Sequence, residues 1–280
     1  MEKITKLKKL FKDFNIDGYI VPKNNNFFGE YVTAPEDNLK YISKFTGSAG
    51  FAVILKNKNY MFVDGRYTTQ ANNECGRSYK VCTIPEEYPF TVFNNKKLNL
   101  GFDPRLHTEN SLNRLFKNSF IKLNPIDKNL IDLLWKRKKN SNIKPFYLIK
   151  DRDAGMRLEN KLIRLNSLIR QNKADYLFTT ASENIAWLLN IRGHDTDFAP
   201  IPNSHAFIGK NKEVFLFCDL KKIDRTLKSK LNKKIKIYSF DQLPHFILSL
   251  LNKKILIDML TCSVFYKILI NKNNLTIEKQ

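Results

Sequence analysis

Asp17-Gly-Tyr-Ile-Val-Pro22 and Ala174-Asp-Tyr-Leu-Phe-Thr179 each place a short apolar run directly after an amphipathic helix, and that step, written twice, decides the fold. Each run is apolar, short and bounded by turn residues, which predicts a buried strand. To the left of the first run, Ile4, Leu7, Leu10, Phe11 and Phe14 recur on one face of a helix from Met1 to about Phe14. To the left of the second, Leu158, Leu162, Leu165 and Ile169 do the same up to about Asn172. To the right, Asn38 to Phe45 reads as a helix that the glycines of Gly47-Ser-Ala-Gly50 end, ahead of a strand at Phe51 to Leu55. Asn57-Lys-Asn59 is a hairpin turn into Tyr60-Met-Phe-Val-Asp64, and Asn95 to Lys97 precede a strand from Leu98 to Asp103. The second half keeps this order. Asn184-Ile-Ala-Trp-Leu-Leu-Asn190 parallels the segment from Asn38, and Ser204 to Ile208, the turn Gly209 to Lys212 and Glu213 to Asp219 parallel the hairpin. Lys254 to Asp258 parallels Leu98 to Asp103, and 39 residues separate Asp64 from Asp103 just as 39 separate Asp219 from Asp258.

Alternating helices and strands give the class α/β. Self-similarity at so long a period predicts a duplicated domain. The expected division is a first domain at 1–138, a charged linker at 139–145 and a second domain at 146–280. Trp135 comes 32 residues after Asp103, with a strand-like Phe120 to Leu123 and a closing helix at Leu130 to Trp135 on the way. Only 22 residues follow Asp258, so the second copy is expected to be truncated at its C-terminal end, closing in a polar tail, Asn271 to Gln280, where the last helix should come. A split or decayed gene is the expected origin.

The chain has 280 residues, 42% hydrophobic and 12% aromatic, enough for two ordinary cores and too apolar for a disordered chain. No stretch approaches 18 uninterrupted apolar residues, and the first helix is interrupted by lysines, so neither a membrane span nor a signal peptide is expected. Cys75, Cys82, Cys218 and Cys262 stand at unrelated spacings, which suits reduced thiols in a cytoplasm. The formal charge of +21 raises the question of a polyanionic partner. Its lysines are spread along the chain beside asparagines, and the dense runs Lys136 to Lys139 and Lys233 to Lys236 lack interleaved aromatics to stack bases. Compositional bias of an AT-rich genome explains the charge better than nucleic acid does.

Longer fragments carry a family resemblance. Asp37-Asn-Leu-Lys-Tyr-Ile-Ser-Lys-Phe-Thr-Gly-Ser-Ala-Gly50, Val63-Asp-Gly-Arg-Tyr67 with Gln70-Ala71, and Gly101-Phe-Asp-Pro104 resemble the N-terminal domain of the large three-domain Xaa-Pro aminopeptidases, the aminopeptidase P family. Asp153-Ala-Gly155, Lys161-Leu162, Ala174-Asp175 and Asn184-Ile-Ala-Trp-Leu-Leu-Asn-Ile-Arg-Gly193, with Pro200 and Ser204, resemble its middle domain, and the likeness is collinear from about residue 3 to residue 260. Two places depart from the pattern. Asn26-Phe-Phe-Gly29 stands where the family usually has an acidic residue, a His and a Ser, and Lys44 stands where it usually has Gly. The resemblance implies two tandem creatinase N-terminal-like domains, each a mixed β-sheet flanked by helices. It also implies a third, pita-bread domain after Gln280, where two Asp, two Glu and one His hold two divalent metals, manganese or zinc. Prolidases and creatinases typically carry one N-terminal copy, so the doubled module favours the aminopeptidases.

The residues present supply no such chemistry. A two-metal peptidase needs carboxylates and a His converging on two ions, whereas His107, His194, His205 and His245 sit in unrelated elements without the His-x-x-x-His spacing. His194 with Asp195 and Asp197 is the nearest thing to a metal cluster, and a solvated loop is the better reading. In Gly47-Ser48-Ala-Gly50 the serine follows glycine directly and a strand comes next, the wrong context for a nucleophile elbow. Neither glycine-rich nucleotide motif occurs. Four residues are candidates for substrate access or for a contact between domains: Asp64, Arg66 and Tyr67 in a strand-end turn, and Arg192 after an apolar helix. The expected function is the non-catalytic N-terminal portion of a metal-dependent Xaa-Pro aminopeptidase, a metallopeptidase and hydrolase, inactive alone and cytoplasmic, with no metal in this chain. The alternatives are a polyanion- or nucleic-acid-binding module and a docking subunit for a separate or homologous catalytic chain, and an oligomer is compatible with the sequence.

Overall fold

The computed structural model describes residues 2–137, 143–231 and 233–279. Met1, most of the expected linker at 139–145, Lys138 and Lys139 of the first basic run, and Gln280 of the expected tail lie outside the described residues. The chain divides into two units, Met1–Asn26 with Val32–Lys139, and Phe27–Tyr31 with Asn140–Gln280.

In the first unit, α1 (Glu2–Leu10), β1 (Gly18–Pro22), α2 (Asn38–Ser43), β2 (Phe51–Leu55), β3 (Asn59–Asp64), α3 (Thr68–Cys75), β4 (Lys80–Ile84), α4 (Pro89–Val92), β5 (Leu98–Phe102), α5 (Glu109–Phe116) and β6 (Ile121–Pro125) follow one another. The six strands make one sheet in the order β4-β3-β2-β1-β5-β6. β1 pairs antiparallel with β2 and parallel with β5; β2 and β3 are antiparallel, while β3 with β4 and β5 with β6 are parallel. In the second unit, β7 (Tyr147–Leu148), α6 (Asp151–Ala154), α7 (Leu158–Gln171), β8 (Tyr176–Thr179), α8 (Ser182–Leu189), β9 (Ile191–Arg192), β10 (Ser204–Gly209), β11 (Val214–Cys218), α9 (Arg225–Lys230), β12 (Ile235–Ser239), α10 (Leu243–Ser249), β13 (Lys254–Asp258), α11 (Val264–Ile270) and β14 (Leu275–Lys279) follow. Its main sheet runs β12-β11-β10-β8-β13-β14 with the same sequence of antiparallel and parallel neighbours. Two mixed sheets flanked by helices, with one connectivity used twice, are the duplicated α/β architecture expected.

Packing explains the apolar runs. All five residues of β1 are buried, because the strand lies mid-sheet with side chains directed to both faces. On one face Tyr19 and Val21 join Ile4, Leu7 and Phe11 of the first helical segment. In the second unit, Leu162 and Ile169 of α7 pack with Ile185, Leu188 and Leu189 of α8 over Ala206, Ile208 and Leu256. The opposite face carries Phe178, Phe207 and Phe217 under Leu243, Ile247 and Ile270.

An aspartate registers the central strand of each sheet. Asp17 Oδ2 accepts the Asn99 backbone N–H at 2.9 Å, its Oδ1 meets Lys56 Nζ at 3.0 Å, and its own N–H donates to Asn99 O at 2.7 Å. Asp175 repeats the set, with the Lys254 backbone N–H at 3.0 Å, Lys210 Nζ at 2.8 Å, and its own N–H on Lys254 O at 2.7 Å. One side chain therefore ties the foot of the central strand to the parallel strand on one side and to the hairpin on the other. A backbone N–H with Lys56 at Asp17, and Lys210 with a backbone N–H at Asp175, hold both carboxyls below the usual carboxylate range.

Three expectations change. Leu130 to Trp135 is a turn rather than a helix, although Ile126, Leu130 and Ile131 are buried in the first core as a closing segment would be. The expected polar tail is strand β14, so the second sheet has six strands like the first. Its polar look arises because Asn271 to Asn274 form the preceding turn, where Asn274 Nδ2 donates to Leu250 O at 2.9 Å and its Oδ1 accepts the Lys253 N–H at 2.9 Å. Finally, α2 is ended by Lys44 in the left-handed region at φ 71°, not by the glycines that follow. Among the described residues, nine non-glycine residues have such positive φ values, and five of them are asparagines: Asn15, Asn95, Asn118, Asn190 and Asn252.

Two outcomes are expected in chemical denaturation. Asp175→Ala should cost about 1–2 kcal/mol, the scale for a hydrogen-bonded charge that is partly exposed. Because the folded carboxyl titrates below its unfolded counterpart, this contribution is present above the ordinary carboxylate range and disappears as pH falls through the folded value. The gap between wild type and variant should therefore narrow in acid. Lys44→Gly should stabilise by about 1 kcal/mol, because glycine reaches the left-handed region without the Cβ clash.

Candidate functional site

Asp64-Gly-Arg-Tyr67 leaves the carboxyl end of β3. Asp64 Oδ1 accepts both the Arg66 backbone N–H at 3.0 Å and Arg66 Nε at 2.8 Å, capping the short turn Gly65–Tyr67. The guanidinium in turn holds the Asp64 carboxyl below its usual range. Arg66 lies 5.5 Å from the Tyr67 ring centroid and is 74% exposed. The Tyr67 hydroxyl lies 2.6 Å from Ser48 Oγ, and its ring meets Phe45 edge-on at 6.1 Å. Three of the four candidate residues thus form one surface element with Ser48. Gly47 lies against the Phe45 ring, where a Cβ would come within 2.2 Å, and Gly50 has a φ of +152°. The Gly-Ser-Ala-Gly stretch is a packed turn whose serine faces a phenol.

Arg192 belongs to the second unit. Its Nη1 donates to Ala186 O at 3.0 Å and Ile191 O at 2.8 Å, on the carbonyls at and just beyond the C-terminal end of α8. Lys161, fully buried on α7, sends Nζ to Trp187 O and Asn190 Oδ1 and lies 4.7 Å from the Trp187 ring centroid. Asn190 ends the helix at φ 54°, with Nδ2 donating to Asp151 Oδ1 at 3.2 Å and Met156 O at 3.1 Å. Cations suit a helix C-terminus, where unpaired carbonyls gather. Burial, followed by the charge of Arg192, pushes the Lys161 pKa down. Sequence reasoning named Arg192 and missed Lys161. The signal was there, because position 161 falls on the same helix face as Leu158, Leu162 and Leu165.

Asp195, the buried histidines and the four cysteines serve the packing of the fold. Asp195 is occupied by Lys222 Nζ at 2.5 Å and the Asn203 N–H at 2.7 Å, and His194 lies beside the Tyr147 ring at 5.4 Å. Burial pushes His107 down to about 3 and His205 to about 4, so both are neutral, while His245 is exposed on α10. Burial raises Cys75 and Cys82 to about 11 and Cys218 and Cys262 to about 12, which keeps these free thiols protonated and unreactive. Among the described residues, no group of three or more His, Cys, Asp or Glu side chains is arranged to hold a metal.

One cleft of about 460 Å³ opens in the first unit. It lies outside the carboxyl ends of β1, β5 and β6, lined by Asn24 to Asn26, by Asp103, Arg105 and Leu106, and by Asp127 to Asn129 with Asp132 and Leu133. Glu36, Asn38 and Arg137 complete the lining. Chain leaving β1 turns to one edge of the sheet and chain leaving β5 to the other, which makes this a topological switch point, the usual ligand crevice of open α/β sheets. Asp103 is buried, accepts the Arg105 N–H at 2.9 Å and a bond from the Asn129 side chain, and has its pKa raised by burial. Glu36 Oε2 accepts Thr33 Oγ1 at 2.7 Å and Asn25 Nδ2 at 3.2 Å. Sequence reasoning did not single out any of these residues as a site.

Residues 3–132 match a family model described as the creatinase/prolidase N-terminal domain, and residues 136–280 match a second model of that description. The chain belongs to this family. Its creatinase/prolidase N-terminal domains are 29% identical over 256 residues, 88% of the chain, to a probable Xaa-Pro aminopeptidase P of Coprinopsis cinerea, of which they cover 41%. They are 29% identical over 263 residues to Xaa-Pro aminopeptidase 1 of Dictyostelium discoideum, covering 88% of the chain and 42% of that protein. The chain therefore spans about two-fifths of the length of these curated relatives. A crystal structure of X-prolyl aminopeptidase from Caenorhabditis elegans, described as a cytosolic enzyme with a di-nuclear active site, shares the fold with a TM-score of 0.88 at 24% identity, over 100% of this chain and 50% of that one. No helix among the described residues is long and apolar enough to cross a membrane.

The two arginines should separate in denaturation experiments. Arg192→Ala should lower stability by about 1–2 kcal/mol, because it strips a charged donor from two carbonyls. Arg66→Ala should leave the midpoint unchanged, since an exposed ion pair contributes little.

Proposed function

We propose that this chain is the non-catalytic N-terminal portion of a metal-dependent Xaa-Pro aminopeptidase. In that reading it works with a catalytic domain that removes the residue preceding proline from a peptide, and that domain carries the two divalent metals, manganese or zinc. The observation that carries the proposal is the match of both halves, in order, to the creatinase/prolidase N-terminal domain, together with relatives that are Xaa-Pro aminopeptidases over 88% of the chain. The two units act as a scaffold that shapes the approach of short peptides.

Asp64, Arg66 and Tyr67 are suited to the access role, because the Asp64 bond and the Tyr67 ring pre-orient an exposed guanidinium that can take a carboxylate. Arg192 acts indirectly in this reading, by fixing the end of α8. A cytoplasmic setting fits the four free, buried thiols and the cytosolic description of the Caenorhabditis elegans enzyme. The spread of lysines along the chain favours a peptide and a catalytic partner over nucleic acid.

The purified 280-residue chain is expected to release no amino acid from a Xaa-Pro peptide in the presence of manganese. Metal-dependent turnover that follows the chain through purification would overturn its assignment as non-catalytic.

A further inference from the structure

We infer that the cleft at the β1/β5/β6 ends of the first unit binds a small zwitterion, an unblocked amino acid or short peptide, with its ammonium on Asp103 and Glu36 and its carboxylate on Arg105. The volume of about 460 Å³ lies within the range of small-molecule sites and exceeds what one amino acid fills. The chemistry of the lining narrows the ligand. Four carboxylates, Glu36, Asp103, Asp127 and Asp132, stand among three cations, Arg105, Lys128 and Arg137, with Arg137 paired to Asp132 and Arg105 beside Asp103, so groups of both signs line one cleft of a strongly basic chain.

Asp103 is 5% exposed, and the hydrogen bond from the Arg105 N–H fixes one of its oxygens at the sheet end. Arg105 Nη1 donates to Asp127 O at 2.7 Å and lies 4.0 Å from Asp103 Oδ1, so guanidinium and carboxylate stand side by side in the cleft. Other ligand classes fit less well. The carboxylates do not converge as a metal cage. The lining contains no aromatic ring on which a sugar or base could stack. A phosphate would face the buried Asp103. Leu106 and Leu133 supply the apolar wall that an aliphatic side chain needs.

The corresponding crevice of the second unit is built differently. Where β8 and β13 end, the His205 ring is surrounded by Phe27 at 5.2 Å, Tyr266 at 5.3 Å and Phe240 at 5.7 Å. The polar cleft is thus a property of the first copy and does not follow from the shared topology.

Titration calorimetry on the full chain with glycyl-leucine, N-acetyl-glycyl-leucine and glycyl-leucinamide tests this. Saturable binding of glycyl-leucine is expected, at least tenfold weaker for either blocked form. Arg105→Gln should lose at least tenfold for glycyl-leucine and little for the amide, which has no carboxylate. Glu36→Gln should mirror this on the ammonium side, and it supplies that reading if Asp103→Asn fails to fold. Absence of saturable heat at millimolar ligand overturns the inference, as does equal binding of free and blocked peptides or unchanged affinity in the variants. Arg114→Ala, an exposed residue outside the cleft, should bind like wild type.

Discussion

Everything in these two sheets depends on the register of one strand with two unlike neighbours. β1 and β8 each face an antiparallel hairpin strand on one side and a parallel crossover strand on the other. The hairpin partner is close in sequence, but Asn99 and Lys254 arrive about 80 residues after Asp17 and Asp175. A slip of one residue would turn the buried faces over. The aspartate at the foot of each central strand guards against it, because a single carboxylate accepts from an N–H at the start of the late-arriving strand and from a lysine in the hairpin turn. Both copies keep the device with the same atoms, although Asn99 and Lys254 differ and only their backbone is used.

Much of this architecture was legible because its cause is local. Helix and strand periods, together with turn residues, located the paired elements of both halves, and the repeat itself disclosed the duplication. The failures have physical reasons. Leu130 and Ile131 are buried without being helical, since burial sets apolarity and not backbone angle. The polar run Asn271 to Asn274 hid an ordered turn, because each asparagine supplies donors and acceptors that a composition-based reading counts only as polarity. β14 alternates Leu275 and Ile277 with Thr276 and Glu278, the pattern of an edge strand, and five residues carry little weight beside a polar turn.

The sites were less legible than the fold. Asp64, Arg66 and Tyr67 stood out as adjacent residues in a turn, and they do meet. The cleft draws its lining from three loops spread along the sequence between Asn24 and Arg137, so no local spacing could reveal it. Lys161 was visible as a lone charge on an apolar helix face, yet its meaning needed the end of α8, 26 residues away, to be in place. Structure supplied what periodicity does not contain, namely which distant backbone ends a charge must serve.

The left-handed residues bear on how the turns are held. The chain holds only 10 glycines among 280 residues and makes many of its sharp reversals with asparagine and lysine instead. The fold receives these two residues unequally. Asparagine enters the left-handed region at small cost, because its short amide can bond locally. Lysine has no such compensation, so Lys44, Lys173 and Lys212 mark positions where the surrounding fold overrides local conformational preference. Each of these lysines is therefore a turn that the packed sheets hold against the residue's own preference.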